Sequence, residues 1–478
     1  MKLSFLAKEL PDCEIIGGDA EISALCTDSR VAGAGDLFFC FQGTHFDSHC
    51  FAEEAQLRGA AAIVSQQDTG VGIPQLIVHD GREAMARISA AFYRHPERKI
   101  SIVGITGTNG KTTTMYMLKN ILEEAGKKVG IIGTLGASYS EVTVAPSLTT
   151  PDPVFLFSLL ADMARAGTEY VVMEVSAHAL ALRKECPVVY DAAIFTNLTQ
   201  DHLDFFGDMR SYGNAKKSLF TPERCRFAVL NSDDPFSAEL MKQGITYKTY
   251  GMENPSDSFA LVNRESLRGT HVVLNLSDEL CHAEITLTGR HNVYNALAAA
   301  TAARHLGADT QSIARGLKKT QVNGRLERVA SYKGAEIFVD FAHTPDGLEK
   351  SLGALKEYCE GRLIVLFGCG GNRDSAKRPI MGKVAAEHCD FAVITSDNPR
   401  YEDPLEIISA IEKGFLPVSK NYTVIEEREV ATRYAIGLLE KGDVLLVAGK
   451  GGECEQEIMG IKYSYNDKAV INSVLNSL

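Results

Sequence analysis

Residues 100–126, ISIVGITGTNGKTTTMYMLKNILEEAG, constrain this chain more than any other stretch. Residues 100–106 are a β-branched apolar run of the length of one buried strand. The turn Gly107-Thr108-Asn109-Gly110 follows, and Lys111-Thr112-Thr113 opens a helix. In that helix Met115, Leu118, Ile121, Leu122 and Ala125 recur at helical spacing and give it one apolar face. A strand, a glycine turn and a helix N-terminus together make an anion site. Glycines let backbone N–H groups approach a phosphate, and the helix end adds partial positive charge. Lys111 can then reach the outer phosphates of a nucleotide, and the Thr112 hydroxyl can bind Mg2+. Five residues, not the usual four, separate Gly104 from Gly110. A plain glycine loop before an ordinary helix is the bland alternative, but Gly-Lys-Thr in this setting favours ATP or GTP.

The 478 residues suffice for about three domains. An apolar content of 45% and a charged content of 23% are those of a soluble globular protein with sizeable cores. The net charge of −12, with no basic patch to offset it, argues against a nucleic-acid partner. Residues 1–10 include Lys2, Lys8 and Glu9 and have no long apolar core, so no secretory signal is expected. No stretch approaches the length of a membrane span. The 11 cysteines include no paired C-x-x-C, which fits reduced thiols better than a disulfide or zinc framework. The expectation is a cytoplasmic, multidomain protein, monomeric, acting on small molecules.

Strand and helix patterns alternate throughout, predicting an α/β chain of three domains, at residues 1–96, 97–325 and 326–478. In the first, Asp28-Ser29-Arg30 reads on its own as a turn with a charged cap. The polar, proline-broken segment 93–98 marks the boundary. In the second, hydroxyl residues ahead of a helix over 155–166 read as caps. The strand 170–175 carries Glu174 at its end, where an acid holding Mg2+ beside a phosphate loop is expected. After the strand 192–195, Asp201, His202 and Asp204 could ligate a metal or cap the helix that begins near Asp208, and the residues alone leave both open. Lys216, on a helix over 212–220, reads as solvated. A β-rich patch covers 258–288, and a helix starts at His291. In the third unit, strands at 336–341, 363–367, 391–395 and 444–448 each run into a loop, at 342–346, 368–374, 396–400 and 449–453. Loops at strand carboxyl ends of an open sheet converge on one crevice. Arg373 and Arg400 offer paired donors for a carboxylate or phosphate there.

The motifs Asp28-Ser29-Arg30, GITGTNGKTT (104–113), TTPDP (149–153), MEVSAHAL (173–180), NLTQDHLDFFGDM (197–209), Ala215-Lys216, GRHNVYN (289–295), NGRLE (323–327), DFAHTPD (340–346), GCGGNRD (368–374), SDNPR (396–400) and GKGGE (449–453) occur in order along nearly the whole chain. In them the chain resembles the Mur ligase family. The resemblance implies an N-terminal α/β domain that binds a UDP-sugar, a central P-loop ATPase-like domain with a parallel sheet, and a C-terminal Rossmann-like domain. It implies ATP-dependent amide-bond synthesis in peptidoglycan precursor assembly, through an acyl phosphate, with UDP-N-acetylmuramoyl-L-alanyl-D-glutamate as acceptor.

Residue by residue, the resemblance places ATP on Gly107, Thr108, Asn109, Gly110, Lys111, Thr112 and Thr113, with Asn295, Arg325 and Asp340. It places Mg2+ near Thr112 and Glu174, a second Mg2+ at His202, and a metal-binding carbamylated lysine at Lys216. Thr27, Ser29, Thr44, His45 and Phe46 match the UDP end; Thr149, Thr150, Ser176 and Lys184 match the muramyl-peptide groove. The pocket for the incoming amino acid resembles Arg373, Asp397, Asn398, Pro399, Arg400, Gly449 and Glu453. Asp-Asn-Pro-Arg marks the members that take meso-diaminopimelate, whose distal carboxylate Arg400 can pair and whose ammonium Glu453 can meet. Lysine lacks that carboxylate and would leave Arg400 unmatched.

The chain departs from the family pattern at Ala177 (commonly Ser), Phe206 (His), Asn323 (Pro) and Gly452 (His), and at Lys184, where many members have Arg. Competing readings are a lysine-adding ligase of the same family, a folylpolyglutamate synthetase sharing the ATP half, a small-molecule kinase and a catalytically silent nucleotide-binding regulator. Intact Lys111, Glu174, His202 and Lys216 speak against the last.

Overall fold

The computed structural model describes residues 1–43, 47–146 and 148–477. Three sheets follow one another along the chain. The first has five strands in the order Cys13–Ile16, Gln75–Val78, Ala62–Ser65, Asp36–Phe39, Ala24–Cys26, parallel except for Cys13–Ile16 at its edge. The helix Gly81–Phe92, capped by Asp80, packs Ile88 against Phe39, Val64 and Leu76.

The second sheet has eleven strands and is organised around Ser101–Thr106. That strand lies parallel between Tyr170–Glu174 and Ala192–Phe195. Period-two alternation gives it two buried faces. Val103 and Ile105 pack with Met115, Leu118 and Ile121 of helix Lys111–Glu124 and with Ala296 of helix Arg290–His305. Ile102 faces the other way, into the cluster of Leu156 and Leu160 from helix Pro153–Arg165. The expected β-rich patch is three antiparallel strands, Ser258–Ser266, Gly269–Leu276 and Leu280–Ile285, extending one edge of this sheet. A hairpin unforeseen in the sequence, Gly136–Tyr139 and Val142–Val144, extends the other edge.

The third sheet has six strands, Glu327–Tyr332, Ala335–Asp340, Val444–Ala448, Leu363–Phe367, Phe391–Ile394 and Tyr422–Val424, parallel but for the first. A separate hairpin, Glu455–Ile458 and Ile461–Ser464, follows its last strand. Among the described residues no helix is long and apolar enough to cross a membrane, and all 11 cysteines are unpaired.

Candidate active site

Gly107 and Gly110 have φ of +147° and +86°, a region open to glycine, and both lie where no side chain fits. A Cβ on Gly107 would stand 1.9 Å from Thr196 Oγ1, and one on Gly110 2.3 Å from Asn295 Oδ1. The loop is tied to the next strand end: Asn109 N donates to Asn197 Oδ1 (2.9 Å), and Thr196 Oγ1 donates to Asn109 O (2.7 Å). Lys111 Nζ donates to the loop carbonyls of Gly107 (2.9 Å) and Thr108 (2.8 Å), so its ammonium is held at the phosphate end of the loop.

Thr112 Oγ1 donates to Glu174 Oε1 at 2.9 Å and accepts Arg325 Nη2 at 3.0 Å. Glu174 also accepts the backbone N–H of Thr134 (2.9 Å). The Thr149 and Thr150 hydroxyls do not cap the helix that follows. Thr150 Oγ1 donates to Glu174 O (2.9 Å) and accepts Ser176 N (3.0 Å), while Thr149 Oγ1 meets Thr134 Oγ1 at 3.1 Å. These residues therefore line one wall beside the phosphate loop. Lys184 Nζ pairs with Asp152 at 2.7 Å.

The expectation from the residues alone that Lys216 is solvated is overturned. Asp208 caps the helix Met209–Lys217 by accepting Ser211 N at 2.7 Å, which turns Tyr212 and Lys216 inward together. Lys216 is 1% exposed, with Nζ 4.2 Å from the centroid of the Tyr212 ring and, among the described residues, no ion pair. Burial pushes its pKa well below the ordinary lysine value; Lys111 adds to that and Asp201 opposes it. His202 also stands near Tyr212, with ring centroids 6.1 Å apart, and against His178 at 4.7 Å. His202 occupies the N-cap position of the short helix Leu203–Phe206 without making a side-chain cap, so its imidazole is not spent on capping. Burial lowers its pKa and keeps it neutral despite Asp201. Asp201, one of the two acids that the residues alone left open as a metal ligand or a cap, lies 3.9 Å from Lys377 and 4.0 Å from His343, both from the third unit. Burial works against its ionisation, but His343, His202 and Lys377 outweigh that and lower its pKa.

Beyond the phosphate loop opens a cavity of about 680 Å3 between the carboxyl ends of the second and third sheets. Asn109, Gly110, Thr113, Asn295, Arg325 and Asp340 all line it, together with His291, Tyr294 and Lys350. Asn295 Nδ2 donates to Asn292 Oδ1 (3.1 Å), and its Oδ1 accepts Thr114 Oγ1 (3.3 Å). Asp340 accepts the N–H groups of Leu326 and Ala342 and the Ser351 hydroxyl, and burial raises its pKa. Asn109 Nδ2 donates to Asp346 Oδ2 at 2.6 Å, joining the phosphate loop to the third unit.

The 396–400 and 449–453 loops meet as expected. Lys450 Nζ donates to Asn398 Oδ1 (2.9 Å) and Glu453 Oε2 (3.0 Å), and Asn398 Nδ2 donates to Glu453 Oε2 (3.0 Å). Gly449, at φ +113°, leaves room for Asp397, whose Oδ2 a Cβ would meet at 2.5 Å. Pro399 packs on Gly371. Arg373 is exposed and, among the described residues, unpaired. Arg400 is not idle: Nε donates to Glu457 Oε2 (3.2 Å) and Nη1 to Gly371 O (2.8 Å). In the first unit Asp28 does cap the turn Ser29–Val31 and pairs with Arg30, the bland expectation for that motif, while Ser29 Oγ donates to Glu54 (2.8 Å). Thr27 is exposed at the end of Ala24–Cys26. Thr44, His45 and Phe46 lie outside the described residues.

These features define a phosphate-loop, nucleotide-using protein whose nucleotide cavity adjoins a second, charged ligand crevice. Residues 105–303 match the Mur ligase middle domain, residues 324–451 the Mur ligase glutamate ligase domain and residues 21–93 the Mur ligase family catalytic domain. The chain belongs to the Mur ligase family. It is 42% identical over 485 residues to the UDP-N-acetylmuramoyl-L-alanyl-D-glutamate--2,6-diaminopimelate ligase of Geobacillus kaustophilus (strain HTA426), covering 99% of each. To the ligase of that same description from Caldanaerobacter subterraneus subsp. tengcongensis it is 40% identical, covering 96% of this chain and 95% of the relative. A solved structure of a ligase so described superposes with a TM-score of 0.67 at 29% identity, covering 95% of each chain. Mycobacterium tuberculosis folylpolyglutamate synthase shares the fold over 77% of this chain and 92% of its own, with a TM-score of 0.66 at 18% identity.

Proposed function

We propose that this protein is an ATP-dependent ligase that adds meso-diaminopimelate to UDP-N-acetylmuramoyl-L-alanyl-D-glutamate in peptidoglycan precursor synthesis, as a cytoplasmic monomer. The observation that carries the reading is the position of Arg325. It donates to Thr112 beside the phosphate loop, and its chain neighbour Gly324 lies against Gly451 and Gly452 of the 449–453 loop, which supports nucleotide and amino-acid sites that share one cleft. The domains run 1–96 for the UDP-sugar, 97–325 for ATP and 326–478 for the amino acid.

ATP occupies the interdomain cavity, with its phosphates over residues 107–113 and its nucleoside toward Asn295 and Asp340. Lys111 releases the loop carbonyls and takes up the γ-phosphate charge. The D-glutamate γ-carboxylate, placed by Thr149, Thr150, Ser176 and Lys184, attacks the γ-phosphorus and ADP departs, leaving an acyl phosphate. The amine of meso-diaminopimelate, held by Arg373, the 397–400 loop, Gly449 and Glu453, attacks the acyl carbon. Phosphate leaves and the amine sheds its proton. Positioning and charge neutralisation carry such a transfer. The adjoining oxygens of Thr112 and Glu174 fit a hard cation such as Mg2+. Among the described residues no group of three His, Cys, Asp or Glu forms a ready-made metal cluster. His202 with a carbamylated Lys216 is the second metal-holding pair, and the depressed pKa of Lys216 supplies the free amine that carbamylation requires. Bound Mg2+ supplies neutralisation of the phosphate charge.

The test is phosphate release with ATP, Mg2+ and UDP-N-acetylmuramoyl-L-alanyl-D-glutamate, comparing meso-diaminopimelate with L-lysine. Release with meso-diaminopimelate and not lysine is expected. Release with lysine alone overturns the role of Arg400, and silence with both overturns the ligase reading.

A further inference from the structure

Arg400 carries the choice of amino acid in the ligase reading, and the inference here rests on that reading. Its backbone is in the left-handed region, φ +52°, and is stitched to the hairpin after the last strand. Arg400 N donates to Glu457 O (3.0 Å), and Met459 N donates to Arg400 O (2.6 Å). Glu457 N in turn donates to Asn398 Oδ1 (3.0 Å). The guanidinium is fixed at two of its donors, Nε by Glu457 Oε2 and Nη1 by Gly371 O. It lies so close over Gly370 that a Cβ there would meet Nη1 at 3.0 Å. A guanidinium has five N–H donors, so three remain, one on Nη1 and two on Nη2. A carboxylate takes two parallel donors, which Nη2 offers together with a neighbouring nitrogen.

We propose that Glu457 is a positioning residue for Arg400, and through it a determinant of amino-acid specificity. Its carboxylate holds Nε and so fixes where the Nη2 donors and the remaining Nη1 donor point. Without it a long, partly exposed side chain must be ordered by the substrate itself. Glu457 is a specific support rather than part of the core, because it is 30% exposed at the side chain and its neighbour across the hairpin, Lys462, pairs with Glu455.

The experiment measures KM for each substrate in Glu457→Ala, Glu457→Gln, Arg400→Ala and the double variant Arg400→Ala/Glu457→Ala. Glu457→Ala is expected to raise KM for meso-diaminopimelate about tenfold and leave the KM values for ATP and the UDP-linked acceptor within about twofold. Glu457→Gln, which keeps an acceptor oxygen for Nε, is expected to recover most of the loss. In the Arg400→Ala background, removing Glu457 is expected to add less than about twofold, because the group it positions is gone. An unchanged or lowered KM for meso-diaminopimelate in Glu457→Ala overturns the proposal. So does an equal rise for all three substrates, or a tenfold effect that persists without Arg400. If the parent protein is silent with meso-diaminopimelate, the assignment of that amino acid fails and takes this inference with it. If the parent is active and Glu457→Ala is neutral, this inference fails alone.

Discussion

The largest single electrostatic commitment in the third unit is Arg428 with Asp467, at 1% and 0% exposure. Nε and Nη2 of Arg428 donate to the two Asp467 oxygens, each at 2.8 Å, and Nη2 also donates to Ala448 O at 2.9 Å. Nη1 reaches Ser396 O at 3.5 Å. Those carbonyls immediately precede Gly449 and Asp397, so the pair braces both the 396–400 and the 449–453 loops. Burial works against the guanidinium charge, and Asp467 outweighs it, holding Arg428 protonated. Asp467→Asn removes the countercharge and keeps the shape. An orphaned buried guanidinium costs about 3–5 kcal/mol, and the retained amide oxygen puts this variant near the lower end, about 3. For a unit of this size that is a fall of roughly 6–12 °C in melting temperature by calorimetry. The double variant Arg428→Met/Asp467→Leu removes both charges. It leaves two carbonyls and the Tyr465 hydroxyl, which donates to Asp467 Oδ1 at 3.1 Å, without their partners. Its expected cost is smaller, about 1–2 kcal/mol. Both variants should raise KM for meso-diaminopimelate, Asp467→Asn because Arg428 loses the partner that orients it toward the two carbonyls, and the double variant because the brace is gone. If the double variant melts as low as Asp467→Asn, the cost is not that of an unpaired charge and the reasoning is refuted.

Two further outcomes are expected. Lys216→Met should leave the melting temperature within about 3 °C, because no ion pair is lost, while phosphate release falls by at least about a hundredfold; full activity would remove Lys216 from the chemistry. Burial lowers the His291 imidazole from 6.5 to about 4, so as pH falls below 6.5 the unfolded chain takes the proton first. The stability this histidine contributes is present above about pH 6.5 and is lost as pH falls toward 4, at most about 2 kcal/mol for a partly exposed ring. His291→Gln should flatten that part of the stability-against-pH curve, and an unchanged curve would show that the ring binds its proton equally well in the folded and the unfolded chain.

What the sequence made legible is what has a short period or a fixed local geometry. The strand, turn and helix around Gly107–Gly110 declare themselves because a short β-branched apolar run gives way, across a glycine turn, to apolar residues at helical spacing. Glu174 follows from its place at a strand end. Lys216 does not, because a lysine on a short helix gives no sign of which face it joins; its fate is set by Tyr212 one turn earlier and by the Asp208 cap. The Asn109–Asp346 bond spans 237 positions, and nothing local announces it. The hairpin that carries Glu457 escapes for a different reason. Ile461–Ser464 is exposed at every position, so no hydrophobic alternation marks it as a strand.

Two of the departures from the family pattern become a single feature once the chain is folded. Asn323 and Gly452 are 129 positions apart by number and adjacent in space. A Cβ on Gly452 would meet Asn323 Nδ2 and Asn323 O at 3.2 Å and Leu135 Cδ2 at 3.1 Å. Asn323 Oδ1 accepts Lys468 Nζ at 3.0 Å, and Lys468 also pairs with Glu327, whose other oxygen accepts Gly324 N at 2.7 Å. A proline at 323 could not supply that side-chain acceptor, and an imidazole at 452 would need the space the asparagine takes. The two departures thus lie side by side at the junction of the second and third units, where Asn323 fastens the last helix to the connection that carries Arg325.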